Sequence, residues 1–255
     1  VSRIPNADDV KKGVQDNVIW KSIFRPGSIY RKGYRDTSRD RALAAMNNVL
    51  YHLHPVKVKR HGLKLSYTYC LGGMSFFLFI LLTVTGIFLM FFYTPAAGSG
   101  SEIAYADMQD LSAAVPFGSF VRNMHRWAAH LMTLTVFLHM ARVFYHGAYK
   151  PPREFNWIVG IVLLLLTLLL AFTGYLLPWD QLALWAVSVG TDMMGYTPVF
   201  GDQVKFVLLG GVQIGPETLL RWYVLHVLAL PFVLTIFLAV HFWRIRKDGG
   251  ISGPL

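Results

Sequence analysis

Two pairs of histidines, each set in a long apolar stretch, constrain this chain more than any other feature. His125 and His139 are 14 residues apart, and His226 and His241 are 15 apart. Four turns of α-helix take about 14.4 residues, so each pair falls on roughly one helix face, about 21–22 Å apart along the axis. An unpaired imidazole inside a bilayer is costly, which makes an intramembrane histidine a functional residue by default. Two such helices facing each other offer two levels, each with two opposed imidazoles. That is a geometry for two six-coordinate haems, one near each membrane surface.

The composition agrees with a membrane fold. Hydrophobic residues make up 54% of the 255 and charged residues 15%, against about 25% charged in a soluble domain. The net charge of +10 raises the question of nucleic acid. Fourteen of the 24 Lys and Arg, however, lie in residues 1–64, before the first apolar span. A basic flank on the electronegative side of a membrane explains that distribution, and no nucleic-acid partner is expected. Cys70 is the sole cysteine, so no disulfide forms within the chain. Residues 1–50 contain no apolar run of the length a secretory signal needs, so none is expected.

The fold class read from the pattern is all-α: a polytopic four-transmembrane-helix, haem-binding bundle. Spans are expected at about residues 65–93, 117–145, 155–177 and 219–243, each long enough to cross a bilayer. No Asp, Glu, Lys or Arg lies between Lys64 and Glu102, and the second span is uncharged from Trp127 to Ala141. The stretch 178–218 reads as two short surface helices. Residues 1–49 form a basic extension in which Trp20, Phe24 and Tyr30 stand among cations. An amphipathic surface element and a solvated tail both fit it. Residues 50–255 hold the four-helix domain.

Lys and Arg set the orientation. The loop after span two and the C-terminal tail hold Arg142, Lys150, Arg153, Arg244, Arg246 and Lys247, against Glu154 and Asp248. The opposite loops and helix ends hold Arg122, Arg126, Lys205 and Arg221, against Glu102, Asp107, Asp110, Asp180, Asp192, Asp202 and Glu217. Both termini therefore belong on the negative side. By direction alone, His125 pairs with His226 near the positive side and His139 with His241 near the negative side.

The glycines repeat the spacing. Gly72 and Gly86, and Gly160 and Gly174, are each 14 residues apart. A flat macrocycle against a helix needs a face without a Cβ, and their heights match both histidine levels. Close helix–helix packing is the other use of small residues in membranes. Arg122 and Arg126 flank His125 on the side where basic residues are not expected, and haem propionates suit their bidentate guanidinium. Arg244 reads as a topology anchor. His130 is about 140° around the helix from His125 and reads as a buried histidine with a hydrogen-bond partner. His52, His54, His61 and His146 read as solvated. Residue chemistry alone leaves Cys70 unassigned.

YCLGG at 69–73, HRWAAHLM from His125, KPPREFNWIVG at 150–160, FTGYLLPWDQ at 172–181, the His226/His241 pair and HFWRIRKDGGISGPL from His241 together resemble cytochrome b6. This is the four-helix haem subunit of cytochrome b6f and of similar menaquinol-oxidising complexes. The resemblance covers about residues 50–255. It implies two haem b, with His125 and His226 ligating the positive-side one and His139 and His241 the negative-side one. It further implies that Cys70 forms a single thioether to a third haem, called c-prime or c-i, with Arg246 near its propionates. Arg122 and Arg126 would face the positive-side haem. Pro178, Trp179 and Asp180 would wall a quinol site.

The same resemblance implies an enzyme subunit of a quinol:cytochrome c or plastocyanin reductase, inactive alone. It would sit in a bacterial inner or thylakoid membrane, with lipid around it and a dimeric assembly. The PEWY motif of the quinol-oxidation site is absent, as are iron–sulfur and CxxCH motifs. A C-terminal cytochrome b half like subunit IV, a Rieske iron–sulfur protein and a c-type cytochrome are therefore expected as separate partners. The long basic extension and one extra residue in the tail depart from the family pattern. Two other readings stand beside this one: a dihaem anchor of a dehydrogenase or hydrogenase that passes electrons to quinone without bifurcation, and a haem-free transporter or assembly subunit.

Overall fold

The computed structural model describes residues 7–24, 37, 38, 41, 60, 64–97 and 103–252. His52, His54, His61 and Tyr30 lie outside them. Among the described residues there is no strand. The helices are α1 (Ala7–Asp16), α2 (Val18–Ile23), α3 (Leu65–Thr68), α4 (Leu71–Met90), α5 (Ile103–Ala113), α6 (Gly118–Tyr145), α7 (Glu154–Leu176), α8 (Gln181–Gly195), α9 (Gly201–Leu209) and α10 (Pro216–Asp248).

Three of these, α4, α7 and α10, are long and apolar enough to cross a membrane. Four spans were expected, and α6 is the one that differs. Its 28 residues make a rod of about 42 Å, longer than the ~30 Å hydrocarbon layer. Its first turns, however, carry Arg122, Asn123, His125 and Arg126, which lowers its hydropathy. Between α7 and α10, α8 and α9 have 15 and 9 residues, too short for a crossing, as expected. Helix α5 was not expected. It anchors the preceding loop, since Asp107 Oδ2 accepts from the Thr94 N–H at 2.7 Å.

Starts and stops follow local chemistry. Asp180 caps α8 by accepting from the Ala183 N–H at 2.8 Å. Pro216 opens α10, where its missing N–H is harmless. Pro231 sits inside the same helix and cannot donate to the carbonyl four residues back. The turn just before it, Leu225–Ala229, widens to a π-helical turn, and His226 lies in it. Such turns recur at functional sites.

The chain forms two compact units. One comprises Leu71–Phe137 and Leu164–Thr235. Within it, Leu78 packs on Ala128 and Met132, and Ser75 Oγ donates to Thr135 Oγ1 at 3.0 Å between α4 and α6. A polar link of this kind contributes about 0.6 kcal/mol in a membrane. Tyr93 donates to the Leu177 carbonyl at 2.6 Å and stacks on Tyr223. Leu176, Val187 and Trp222 form a further buried cluster.

The other unit comprises Leu138–Leu163, Ile236–Leu255 and the described part of Val1–Cys70. Here α2 docks on the end of α10. Arg244 and Asp248, each 1% exposed, form an ion pair at 2.9 Å. Arg244 Nη2 also donates to the Ser22 carbonyl at 3.0 Å and to Ser22 Oγ at 2.9 Å. Ser22 Oγ donates in turn to the Pro152 carbonyl at 2.9 Å. Arg244 is thus a buried docking residue rather than the membrane-edge anchor expected. A charge this deep is tolerated because the carboxylate and the α2 oxygens surround it. Trp20 and Phe24 pack together at the end of α2 at 4.2 Å, while the described residues from 7 to 21 are exposed.

Hydrogen bonds to charged groups contribute about 1.5–3 kcal/mol. Ser22→Ala should therefore speed protease cleavage within residues 7–24, read by limited proteolysis in membranes, with cleavage elsewhere unchanged. Equal cleavage of both proteins would show that α2 does not depend on the Arg244 contact.

Candidate functional site

Helix α6 carries His125 and His139, and α10 carries His226 and His241. The His125 and His226 rings lie within one unit with centroids 6.4 Å apart and planes at 71°. The His139 and His241 rings lie within the other, also 6.4 Å apart, at 84°. Each pair is edge-on at a separation near the wide end of the range for ring pairs. Two metal–imidazole bonds of about 2 Å each, with half a ring on either side, account for such a separation. Among the described residues no cluster of three or more His, Cys, Asp or Glu could hold a bare metal ion. Each pair offers two imidazole nitrogens only, a donor set that would suit an iron held in a macrocycle.

The hydrogen bonds around the first pair identify which ring nitrogen faces the gap. Thr85 Oγ1 donates to the Leu81 carbonyl at 2.7 Å. Its lone pair is then free to accept from His125 Nδ1–H, at 2.8 Å. Thr173 Oγ1 donates to the Leu170 carbonyl at 3.1 Å and accepts from His226 Nδ1–H at 3.0 Å. With Nδ1 protonated, each ring presents a bare Nε2, the form that ligates a metal. At the second pair, His241 Nδ1 is buried with no hydrogen-bond partner. Sequence reasoning missed both threonines, although each immediately precedes one of the singled-out glycines.

Two of those glycines, Gly86 and Gly174, sit tight against the imidazoles. A Cβ on Gly174 would lie 2.6 Å from His226 Cε1, and one on Gly86 would lie 3.3 Å from His125 Cε1. On Gly160 it would lie 4.0 Å from His241 Cε1. Gly72 lies in the first turn of α4. At Gly86 and Gly174 the bare helix face therefore makes room for the imidazole ring itself.

The other expected residues fall as follows. Cys70 is exposed and sits with Tyr69 in a left-handed turn, φ 51° and 52°, a conformation stored at functional sites. Arg142 braces that turn, donating to the Tyr67 carbonyl and lying over the Tyr69 ring at 4.7 Å. Arg246 is buried. Arg122 donates to Ser112 Oγ at 3.0 Å. It lines a cleft of about 420 Å³ with Tyr105, Gln109, Pro178 and Asp180. Trp179, between those last two, has φ 52°. Arg126 is exposed. His130, expected to be buried with a partner, is instead exposed and edge-on to Trp127 at 5.7 Å. Membrane depth was mistaken for burial in protein. His146 is exposed, as expected.

The fold and the two sites define a helical membrane protein built around paired imidazoles. The profile of the cytochrome b/b6/petB family matches residues 56–249. Cytochrome b6 of Heliomicrobium gestii is 48% identical over 202 residues, covering 79% of this chain and 91% of the relative. The menaquinol:cytochrome c reductase cytochrome b subunit of Bacillus subtilis (strain 168) is 46% identical over 191 residues, 74% of this chain and 83% of the relative. A solved chain of a hyperthermophilic respiratory Complex III superposes with a TM-score of 0.66 at 28% identity, covering 86% of this chain. This chain spans about half, 55%, of that solved chain. The chain belongs to the cytochrome b/b6 family and is a haem b membrane protein.

The Cβ distances predict a graded response. Gly174→Ala should displace His226 and remove most of the haem b held at that pair, whereas Gly160→Ala should leave haem content near wild type. Reduced-minus-oxidised absorbance of membranes reads both. Equal loss from the two variants would contradict the glycine assignment.

Proposed function

We propose that this chain is the haem-bearing subunit of a quinol:cytochrome c-type oxidoreductase. Its role is to carry electrons across the membrane from the quinol-oxidation side to the quinone-reduction side, coupled to proton translocation. The observation that carries this reading is the pair of 6.4 Å imidazole gaps on α6 and α10 in a chain of this family. His125 and His226 would hold one haem b, and His139 and His241 the other. Bound haem supplies reversible one-electron iron chemistry, and the chain supplies ligation, spacing and dielectric.

Gly86 and Gly174 let the imidazoles of the first site approach their helices, and Gly72 and Gly160 would leave room for a macrocycle at the second. Thr85 and Thr173 hold Nδ1–H so that Nε2 faces inward. Arg122 and Arg126 would neutralise propionates beside the first site. The exposed thiol of Cys70, displayed by its left-handed turn, would take a third haem, c-i, through one thioether, with Arg246 beside it.

Pro178, Trp179 and Asp180 would form one wall of the quinol site; the cleft they share with Arg122 supports this. A C-terminal cytochrome b half, a Rieske protein and a c-type cytochrome would complete a dimeric complex. The four-helix domain would be residues 50–255, with 1–49 as an extension. The charge distribution supports both termini on the negative side. An electron moving towards that side works against the field at about 2.3 kcal/mol per 100 mV, so the branch to the Rieske protein must drive it.

Three experiments test this reading. A Rieske protein should co-purify with the chain; a haem-loaded complex lacking one would favour the dihaem anchor. His139→Ala should remove one haem b and leave the His125/His226 one, read optically. Loss of both together would contradict two separate sites. A denaturing gel stained for haem peroxidase should show covalent haem on this polypeptide, and Cys70→Ala should abolish it. A stain that persists would refute the thioether.

A further inference from the structure

The two histidine sites differ in one chemical respect. At the first, a threonine precedes each glycine: Thr85–Gly86 on α4 and Thr173–Gly174 on α7. Both threonines are buried, 2% and 1% exposed, and each accepts the imidazole hydrogen while its own hydroxyl hydrogen is held by a backbone carbonyl. At the second, Leu71 and Val159 precede Gly72 and Gly160. Neither side chain can accept a hydrogen bond. His241 Nδ1 is buried there without a partner, and Val159 is 2% exposed.

An acceptor on Nδ1–H makes an imidazole a stronger electron donor to the metal on its other nitrogen. A more basic ligand stabilises ferric over ferrous iron, so hydrogen bonding outside the ligand is a lever on redox potential. We infer that Thr85 and Thr173 are positioning residues that lower the reduction potential of the His125/His226 haem relative to the His139/His241 haem. The inference rests on the ligation proposed above. It gives the electron a downhill chemical step from the first site to the second, in the sense needed to oppose the membrane field. The device is the Thr–Gly dipeptide: glycine admits the ring, and the threonine beside it sets the ring's basicity.

The test is an optical redox titration of the haem b in the purified complex. Thr85→Val and Thr173→Val keep the side-chain shape and remove the hydroxyl acceptor, leaving the backbone carbonyls of Leu82 and Leu170 beside the rings. Each should shift the lower-potential component upward and leave the other in place, and the double variant should shift it further. Thr85→Ser, which keeps the hydroxyl, should restore the wild-type value. The reciprocal variant Val159→Thr should offer His241 Nδ1 an acceptor and lower the higher-potential component. Two loaded haems with midpoints unmoved in all these variants would overturn the inference. If the valine variants fail to load, Thr85→Ser and Val159→Thr still decide it: a serine midpoint away from wild type, or an unmoved Val159→Thr, counts against it. Retention of both components in His125→Ala would instead overturn the ligation on which it rests.

Discussion

The structure depends on imidazoles held apart inside an apolar fold. Unpaired, they would be costly in a bilayer. Placed in opposed pairs at 6.4 Å, they leave two gaps of one size, each of which would suit a metal held by both imidazoles. Much of the surrounding helix packing serves this placement. Gly86 and Gly174 remove the Cβ that would strike a ring, and Thr85 and Thr173 fix the ring tautomer. The π-helical turn before Pro231 carries His226. At the first pair, ring orientation is thus fixed by packing and hydrogen bonding on the neighbouring helices.

The two imidazole pairs are alike in residue type and unlike in surroundings. One has hydroxyl acceptors beside its rings and the other has aliphatic side chains in the equivalent sequence positions. The same iron chemistry can therefore be set to two potentials by changing residues that touch no metal. In the unit holding His139 and His241, buried charge is used structurally instead: Arg244 and Asp248 neutralise each other and bind α2 through Ser22.

Much of this was legible in the sequence because it rests on period. Spacings of 14 and 15 residues place the histidines on helix faces, and uncharged runs mark the membrane helices. The motifs around Cys70, His125 and PWDQ carried the family. What period cannot report was missed. Ser22 and Arg244 are 222 residues apart, and no local rule pairs them. His130 was read as buried because it lies at membrane depth, but that depth includes surfaces facing lipid or a partner. Helix α6 falls short as an apolar span because it carries Arg122, Arg126, Arg142 and three histidines. Two missed features did leave local signals. Pro231, five residues after His226, announces a distorted turn. The repeated Thr–Gly dipeptide announces the hydroxyl acceptors.

The central claim is that the gaps on α6 and α10 are metal sites. An experimental density map of the assembled complex in a membrane mimic tests it most directly. The account predicts one iron midway between the Nε2 atoms of His125 and His226 and a second between those of His139 and His241. Iron bound by any other side chain, or either gap closed by protein, would contradict it.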